Sequence, residues 1–377
     1  MTGRPLRTVL FTAACALASV HGLARADPPA PAYVMETTAA KRVKATLIVD
    51  VKAPKVRADE WTVYAAQAPN LPGQTDVRMS LPPRGKVARE LSNEGRPMLY
   101  ERLPAASAQS RQNLSARLEY EVTLLTRRLQ KRGPGAPDVP RIAPLDAKTR
   151  RSELAAAYQF DHDAEPFQTW LDEQKLRRGS DEDDVDFARR AFAVLRKSLS
   201  HYEGADAAHE ASKVCAAGKS DYAGLTAAYV AVLRANGIPA RALCGFPVIF
   251  EGQPNKNYWP HAKAEFYAQG VGWVSADLAG AVRSNSPDEG LDFFGNDRAD
   301  FLTAHTDTHL IIDTYFGRKT LDWLPDISWW VKGAGSFDGT RTTYTLSVQV
   351  EPLDLAEALA AKPSRPGAAK AAKKPAR

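Results

Sequence analysis

Two residues have the types and spacing of a proton-relay pair. His261 opens the strand-like run His261-Ala-Lys-Ala-Glu-Phe-Tyr267, and Asp277 closes the next, Gly272-Trp-Val-Ser-Ala-Asp277. Gln269-Gly270 lies between them as a turn. A turn centred on Gln269 sets His261 directly opposite Asp277, within reach of a hydrogen bond. A one-residue slip would break that pairing. An imidazole oriented by a carboxylate can take and return protons in acyl transfer, provided a nucleophile stands beside it.

A nucleophile is best activated at the positive end of a buried helix. The stretch Gly218–Arg241, GKSDYAGLTAAYVAVLRANGIPAR, has that layout. Ser220 or Asp221 can cap a helix, and Ser220 reads more naturally as a cap than as a nucleophile. Leu225, Ala228, Tyr229, Val232 and Leu233 fall at helical spacing. Asn236-Gly237 ends the helix, Pro239 prevents its restart, and an apolar strand follows from Arg241 to Phe250. The residue delivered to the helix end is Tyr222. A phenol of ordinary pKa near 10 leaves little phenolate at neutral pH, although a helix end and an imidazolium would both lower it.

Other chemistry-bearing residues read more plainly. Cys215 lies seven residues before Tyr222 and Cys244 sits on the following strand. They are buried thiols or the two halves of a disulfide, since spacing alone does not decide. His305, Asp307 and His309 would share one face of a single strand over His305–Thr314, but three ligands on one strand rarely close a metal site. Asp161-His162 reads as a turn. Trp259, two residues before His261, is a candidate substrate-binding platform, and Trp329-Trp330 could line a groove or fill a core. Glu265 could pair with Arg241. No metal and no cofactor is expected.

The elements that must position these residues follow from periodicity and punctuation. Residues 1–26 read as a signal peptide: Arg4 and Arg7, an apolar Thr8–Val20 run, and Ala24-Arg25-Ala26 before the cut. Residues 27–40 read as a leader. From Arg42 the apolar period is two, and strand-like pieces at Trp61–Ala66, Asp76–Leu81, Pro97–Leu103 and Leu114–Leu124 suggest a β-sandwich-like N-terminal domain over 41–131. A Pro- and Gly-rich linker covers 132–145. Helical patterns then begin, at Glu165–Arg178 and after Ser180, which with Asp183 resembles a capping box. A second domain spans 146–352, and a basic tail, 353–377, is expected to be disordered.

The formal charge of +6 does not argue for nucleic acid. Six cations and no acids fall in Lys362–Arg377 and three more cations in the signal segment, which leaves −3 for residues 27–361. The apolar run Thr8–Val20 of the signal peptide is too brief to span a bilayer permanently, so no integral membrane segment is expected after cleavage and the protein is expected in the periplasm or outside the cell.

Gly218-Lys-Ser-Asp-Tyr222, Leu233-Arg-Ala-Asn-Gly-Ile-Pro-Ala-Arg241, His261-Ala-Lys-Ala-Glu265 and Gly272-Trp-Val-Ser-Ala-Asp277 together resemble the core of the transglutaminase-like superfamily. Ala191–Tyr202 and Phe293–Arg298 resemble its flanking segments, and the strand-rich region 41–131 resembles the domain that precedes such cores in exported bacterial relatives. The resemblance implies an α+β, papain-like fold, a central helix packed on an antiparallel sheet, with a Cys-His-Asp triad. His261 and Asp277 match the triad. Tyr222 stands where the family has its cysteine, and Lys263 where it has a tryptophan. The expected function is therefore binding of a peptide, protein or cell-wall-derived ligand by an impaired thiol site. The alternative is an active acyl-transfer or amide-hydrolysing enzyme with a non-standard nucleophile.

Overall fold

The computed structural model describes residues 31–92, 94–137, 139–140, 142–248, 258–284 and 291–360. The expected signal peptide, the polar loop 251–257 and the basic residues beyond 360 lie outside them. Six strands come first: β1 (Tyr33–Lys52), β2 (Val56–Ala66), β3 (Gln74–Ser80), β4 (Lys86–Arg89), β5 (Pro97–Pro104) and β6 (Asn113–Lys131). Helices α1 (Ala147–Ser152), α2 (Glu165–Glu173), α3 (Asp184–Ser198), α4 (Ala211–Ala217) and α5 (Tyr222–Ala235) follow, with two-residue strands β7 (Ser200–His201) and β8 (Lys219–Ser220) between them. Next are β9 (Ala240–Pro247), β10 (His261–Ala268), β11 (Gly272–Ala276), α6 (Leu278–Arg283) and β12 (Asn296–Arg298). The chain ends in β13 (Phe301–Thr306), β14 (Leu310–Thr314), β15 (Gly317–Leu321), β16 (Ile327–Gly335), β17 (Arg341–Leu353) and α7 (Leu355–Ala360). The fold is mixed α+β with antiparallel main sheets.

The period-two run in β1 buries Val43, Ala45, Leu47, Val49 and Val51 on one face. This strand pairs with β6 on one side and β17 on the other. A second sheet, in the order β16-β2-β5-β4, packs over it, with Trp61, Leu47 and Leu118 fully buried in the core. Each such side chain contributes about 1.5–3 kcal/mol by leaving water. The sandwich therefore draws strands from both ends of the chain, and β12 adds to it through β6. A division at 132–145 into 41–131 and 146–352 does not describe this pairing, because β16 and β17 belong with β2 and β1. The expected leader is also shorter than 27–40, since Tyr33 already pairs with Lys131. At the other end Leu355–Ala360 is helical and seats Ala358 against Ala40 and Leu125, so the expected tail does not begin at 353.

The central sheet has the order β11-β10-β9-β13. Ala264 and Phe266 of β10 face the helices, while Phe246, Val248 and Leu302 join the sandwich core on the opposite face. Covered on both sides, β10 is buried at all eight positions. Helix α5 is buried at every residue from Ala223 to Arg234, wider than the expected stripe, which is the state of a helix that is apolar nearly all round. Gly237 takes φ +75 just past its end, as a C′ glycine should. Asp183, not Ser180, caps α3. The strand expected over His305–Thr314 is broken at Asp307 and His309, both at positive φ, into β13 and β14.

Candidate active site

The start of α5 is built by side chains from two segments, the linker at His209 and the turn Ser220–Asp221. Asp221 is its cap: Oδ1 accepts from the amides of Ala223 (2.9 Å) and Gly224 (3.2 Å). Its other oxygen lies 3.0 Å from His209 Nε2. Burial works to raise the Asp221 carboxyl, but His209 and the two amides outweigh it and hold the group below its usual range. The hydrogen bond to Asp221 in turn lifts His209 above the ordinary imidazole value. Ser220 is not the cap; its hydroxyl donates to the carbonyl of Ala208 at 2.5 Å. Gly224 is required by this close approach, since a Cβ there would meet Ser220 Oγ at 2.1 Å and the Ala208 carbonyl at 2.5 Å.

The β10–β11 register differs from expectation by two residues. Ala264 pairs with Ala276 and Ala268 with Gly272, so the turn centres on Gly270. An even shift keeps each side chain on its face, and Asp277 lies just past β11 rather than across from His261. The pair forms nevertheless: His261 Nε2 is 2.8 Å from Asp277 Oδ2. Asp277 also caps α6, its Oδ1 accepting from the Gly280 amide at 2.7 Å. Burial pushes its carboxyl up, but His261, the Gly280 amide and the Lys263 ammonium prevail and hold it below the usual range. An ionised Asp277 assigns the proton to Nε2 and leaves Nδ1 as the free basic nitrogen of His261.

Tyr222 is the first residue of α5 and its ring centroid lies 6.0 Å from that of His261, tilted by 47°. Phe301 meets the same imidazole edge-on at 5.9 Å. Burial, reinforced by Cys244, Asp221 and Asp326, drives the Tyr222 phenol well above its ordinary value. Neither the helix end nor His261 reverses that shift, so the phenolate fraction at neutral pH falls below the roughly one in a thousand of a free tyrosine. The two described cysteines do not substitute. Both are free and buried, Cys215 among α4 and α5 side chains and Cys244 in β9, and burial pushes both thiols far up.

His261 and Asp277 open onto a cleft of about 210 Å³, also lined by Trp259, Lys263, Arg283, Phe293, Arg298 and Phe301. A larger hollow of about 470 Å³ lies on the outer face of the β6–β1–β17 sheet, among Lys44, Arg117 and Glu119; it holds none of the relay residues and reads as a solvated sheet face. Lys263 is buried against Asp297 at 3.0 Å. Burial alone would lower its pKa, but Asp297 and Asp300 raise it, so it is a held ammonium and not an amine nucleophile. Two positions further along β10, Glu265 bonds Arg241 at 2.8 Å, as expected, and Arg127 of β6 at 3.4 Å.

The remaining candidates fall away from the cleft. His305 is buried and accepts from the Leu324 amide, with its pKa lowered to about 4 by burial. Asp307 pairs with Arg234 at 2.8 Å. Among the described residues no group of three or more His, Cys, Asp or Glu could hold a metal. Trp329 stacks edge-on against Trp61 in the sandwich, and Trp330 packs beside the cluster of Met98 and Leu310. His209 was not singled out from sequence; its one local signal is its place in the linker before the helix.

Residues 173–278 match the family model described as the transglutaminase-like superfamily. A candidate cysteine protease of Cytophaga hutchinsonii has a solved structure 14% identical, with a TM-score of 0.51, covering 85% of this chain and 93% of its own. The periplasmic domain of TgpA from Pseudomonas aeruginosa is 17% identical over 62% of this chain and 87% of its own, with a TM-score of 0.32. Red sea bream transglutaminase is 12% identical over 74% and 57%, with a TM-score of 0.29. Only the first of these similarities is high enough to bear on the fold. No curated protein matches the chain. The matched segment 173–278, which holds the buried helix and the His261–Asp277 pair, is thus similar to the transglutaminase-like superfamily.

Proposed function

We propose that this is an exported transglutaminase-like protein that binds a peptide, protein or cell-wall-derived ligand in the cleft beside His261 without turning it over. The observation that carries this reading is the state of Tyr222: its ring rests against His261 where a thiol would stand, and its phenol is held protonated. The relay pair supports ligand positioning, with Trp259 as an apolar wall. Export rests on the leader sequence. Among the described residues no helix is long and apolar enough to cross a membrane.

Ammonia release and isopeptide formation from glutamine peptides, and amide cleavage of cell-wall peptides, test the proposal directly. The wild-type chain is expected to give neither while binding such a peptide in equilibrium dialysis, with Trp259→Ala weakening the binding. Turnover by wild type that is lost in Tyr222→Phe would overturn it in favour of an enzyme with a phenol nucleophile.

A further inference from the structure

The hairpin of β14 and β15 closes through two aromatic residues. Loops whose central residues take positive φ favour Asn, Asp and Gly, but in this turn the positive φ falls on Gly317, so the two central positions accept any side chain. Here they are Tyr315 and Phe316, 65% and 53% exposed, with their rings 5.3 Å apart and nearly perpendicular. The turn does not need them. Thr314 Oγ1 accepts from the Phe316 amide at 3.1 Å and donates to the Gly317 carbonyl at 2.8 Å, and Gly317 supplies the positive φ. The hairpin is also firmly seated: Leu310, Ile312 and Leu324 pack with Ala66 and Met98, and the Tyr64 hydroxyl donates to the Asp313 carbonyl at 2.6 Å. Two large rings are thus held out on a rigid base while burying little apolar surface.

The charges around them have one dominant sign. Arg318 and Lys319 follow the rings on β15, and the Lys332 ammonium of β16 lies 5.1 Å from the Tyr315 ring. The acids nearby are Asp313, directly across from Arg318, Glu60, across from Lys332 and 4.0 Å from Arg102, and Asp322 just past the foot of β15; Arg89 and Arg102 add to the cations around Asp313. This patch is cationic although residues 27–361 are net −3, and the chain ends in six further cations without an acid.

We infer that the Tyr315-Phe316 hairpin tip docks the protein on an anionic lipid surface, the rings entering the headgroup boundary and Arg318, Lys319 and Lys332 lying over lipid phosphates. Aromatic rings with polar or cationic flanks favour that boundary, and one apolar tip binds reversibly only when a basic patch adds to it. A tip that projects two rings also suits a soft interface better than the shaped pocket a protein partner would need. The inference is independent of what the cleft binds.

Sedimentation of the full chain with vesicles tests it, comparing roughly one-third phosphatidylglycerol with pure phosphatidylcholine at low salt. The wild type is expected to bind only the anionic vesicles and to release as salt rises. Tyr315→Ser with Phe316→Ser, and separately Arg318→Glu with Lys319→Glu, are expected to weaken binding at least about tenfold. Both pairs should leave the circular dichroism melt unchanged, because the tip touches no core. The leader and the basic tail are common to all variants, so equal binding by wild type and both pairs would assign the affinity to those segments and overturn the inference. Equal binding to neutral vesicles, or tip-dependent capture of a protein without vesicle affinity, would overturn it as well.

Discussion

Placing a thiol at position 222 tests whether the helix end and His261 can form a reactive centre. In Tyr222→Cys the new side chain sits at the first residue of α5, beside the imidazole whose Nδ1 is free. Asp277 is held below the usual carboxylate range, so it stays ionised at pH 5 and keeps its negative charge beside the imidazole. A helix end and His⁺ bring cysteine from about 8.5 into a range of about 3.5–7.5, and about 6 lies within it. At pH 5 such a thiol is about 9% ionised, against about 0.03% for free cysteine, a ratio of about 300. Lower basicity reduces nucleophilicity by about 13-fold over those 2.5 or so units. The net expectation is reaction with dipyridyl disulfide about 20 times faster than free cysteine at pH 5, with a rate profile whose midpoint lies below pH 7. Cys215 and Cys244 stay silent because both are buried with raised thiols, and Cys15→Ser removes the leader thiol. Adding His261→Ala should raise the midpoint toward the free-cysteine value of about 8.5, with the helix end alone opposing it. A midpoint there in Tyr222→Cys itself, with no acceleration, refutes the claim that this site differs from a thiol centre by one residue.

Two further outcomes follow from the charge pairs. His209 is raised by Asp221 in the folded state, so the pair stabilises fully below the unfolded imidazole value of about 6.5 and fades as pH rises through the folded one. Asp221 is depressed, so its share is present above about 3.9 and fades on acidification. Urea midpoints of wild type minus His209→Ala should therefore peak between about pH 4 and 6.5 and shrink at pH 8; a difference that grows toward pH 8 contradicts the pair. Glu265 is 1% exposed between Arg241 and Arg127, so Glu265→Ala leaves two buried guanidiniums without their carboxylate and should cost about 3–5 kcal/mol in denaturant titrations. A loss under about 1 kcal/mol would show that water replaces it.

The parts of the fold read correctly from sequence are those whose signal is local. Asn236-Gly237 ended the helix because only a glycine suits its left-handed exit. His261 and Asp277 were paired correctly from a register that was two residues off, because an even shift preserves the faces and Asp277 reaches back from the cap of α6. What stayed hidden is non-local. Nothing in the period of Arg341–Leu353 says that its partner lies some three hundred residues earlier in β1, so the sandwich appeared to belong to the N-terminal region alone. His209 was missed for the same reason: its partner Asp221 is set by the fold of the linker and not by a spacing rule. The break at Asp307–His309 was missed because those residues show no glycine or proline, and their positive φ is sustained by tertiary bonds, including Arg234 to Asp307.

A retained His–Asp pair does not by itself imply retained catalysis, because here the pair also has mechanical work. Asp277 joins β10 to α6 by accepting from His261 and from the Gly280 amide at once. The imidazole it holds fills the space between the Tyr222 and Phe301 rings, and so ties the first turn of α5 to β13. Deleting either partner would leave a buried charge or a void at the junction of three elements, which gives the pair a structural role whatever its chemistry. Tyr222 completes that junction. Its ring fills the space a small side chain would leave beside the imidazole, and the same burial that makes it a good filler keeps its oxygen protonated. Packing and reactivity therefore pull in opposite directions at this position. A side chain small and acidic enough to attack a carbonyl leaves the junction open, and one large enough to close it, without water, loses its nucleophile.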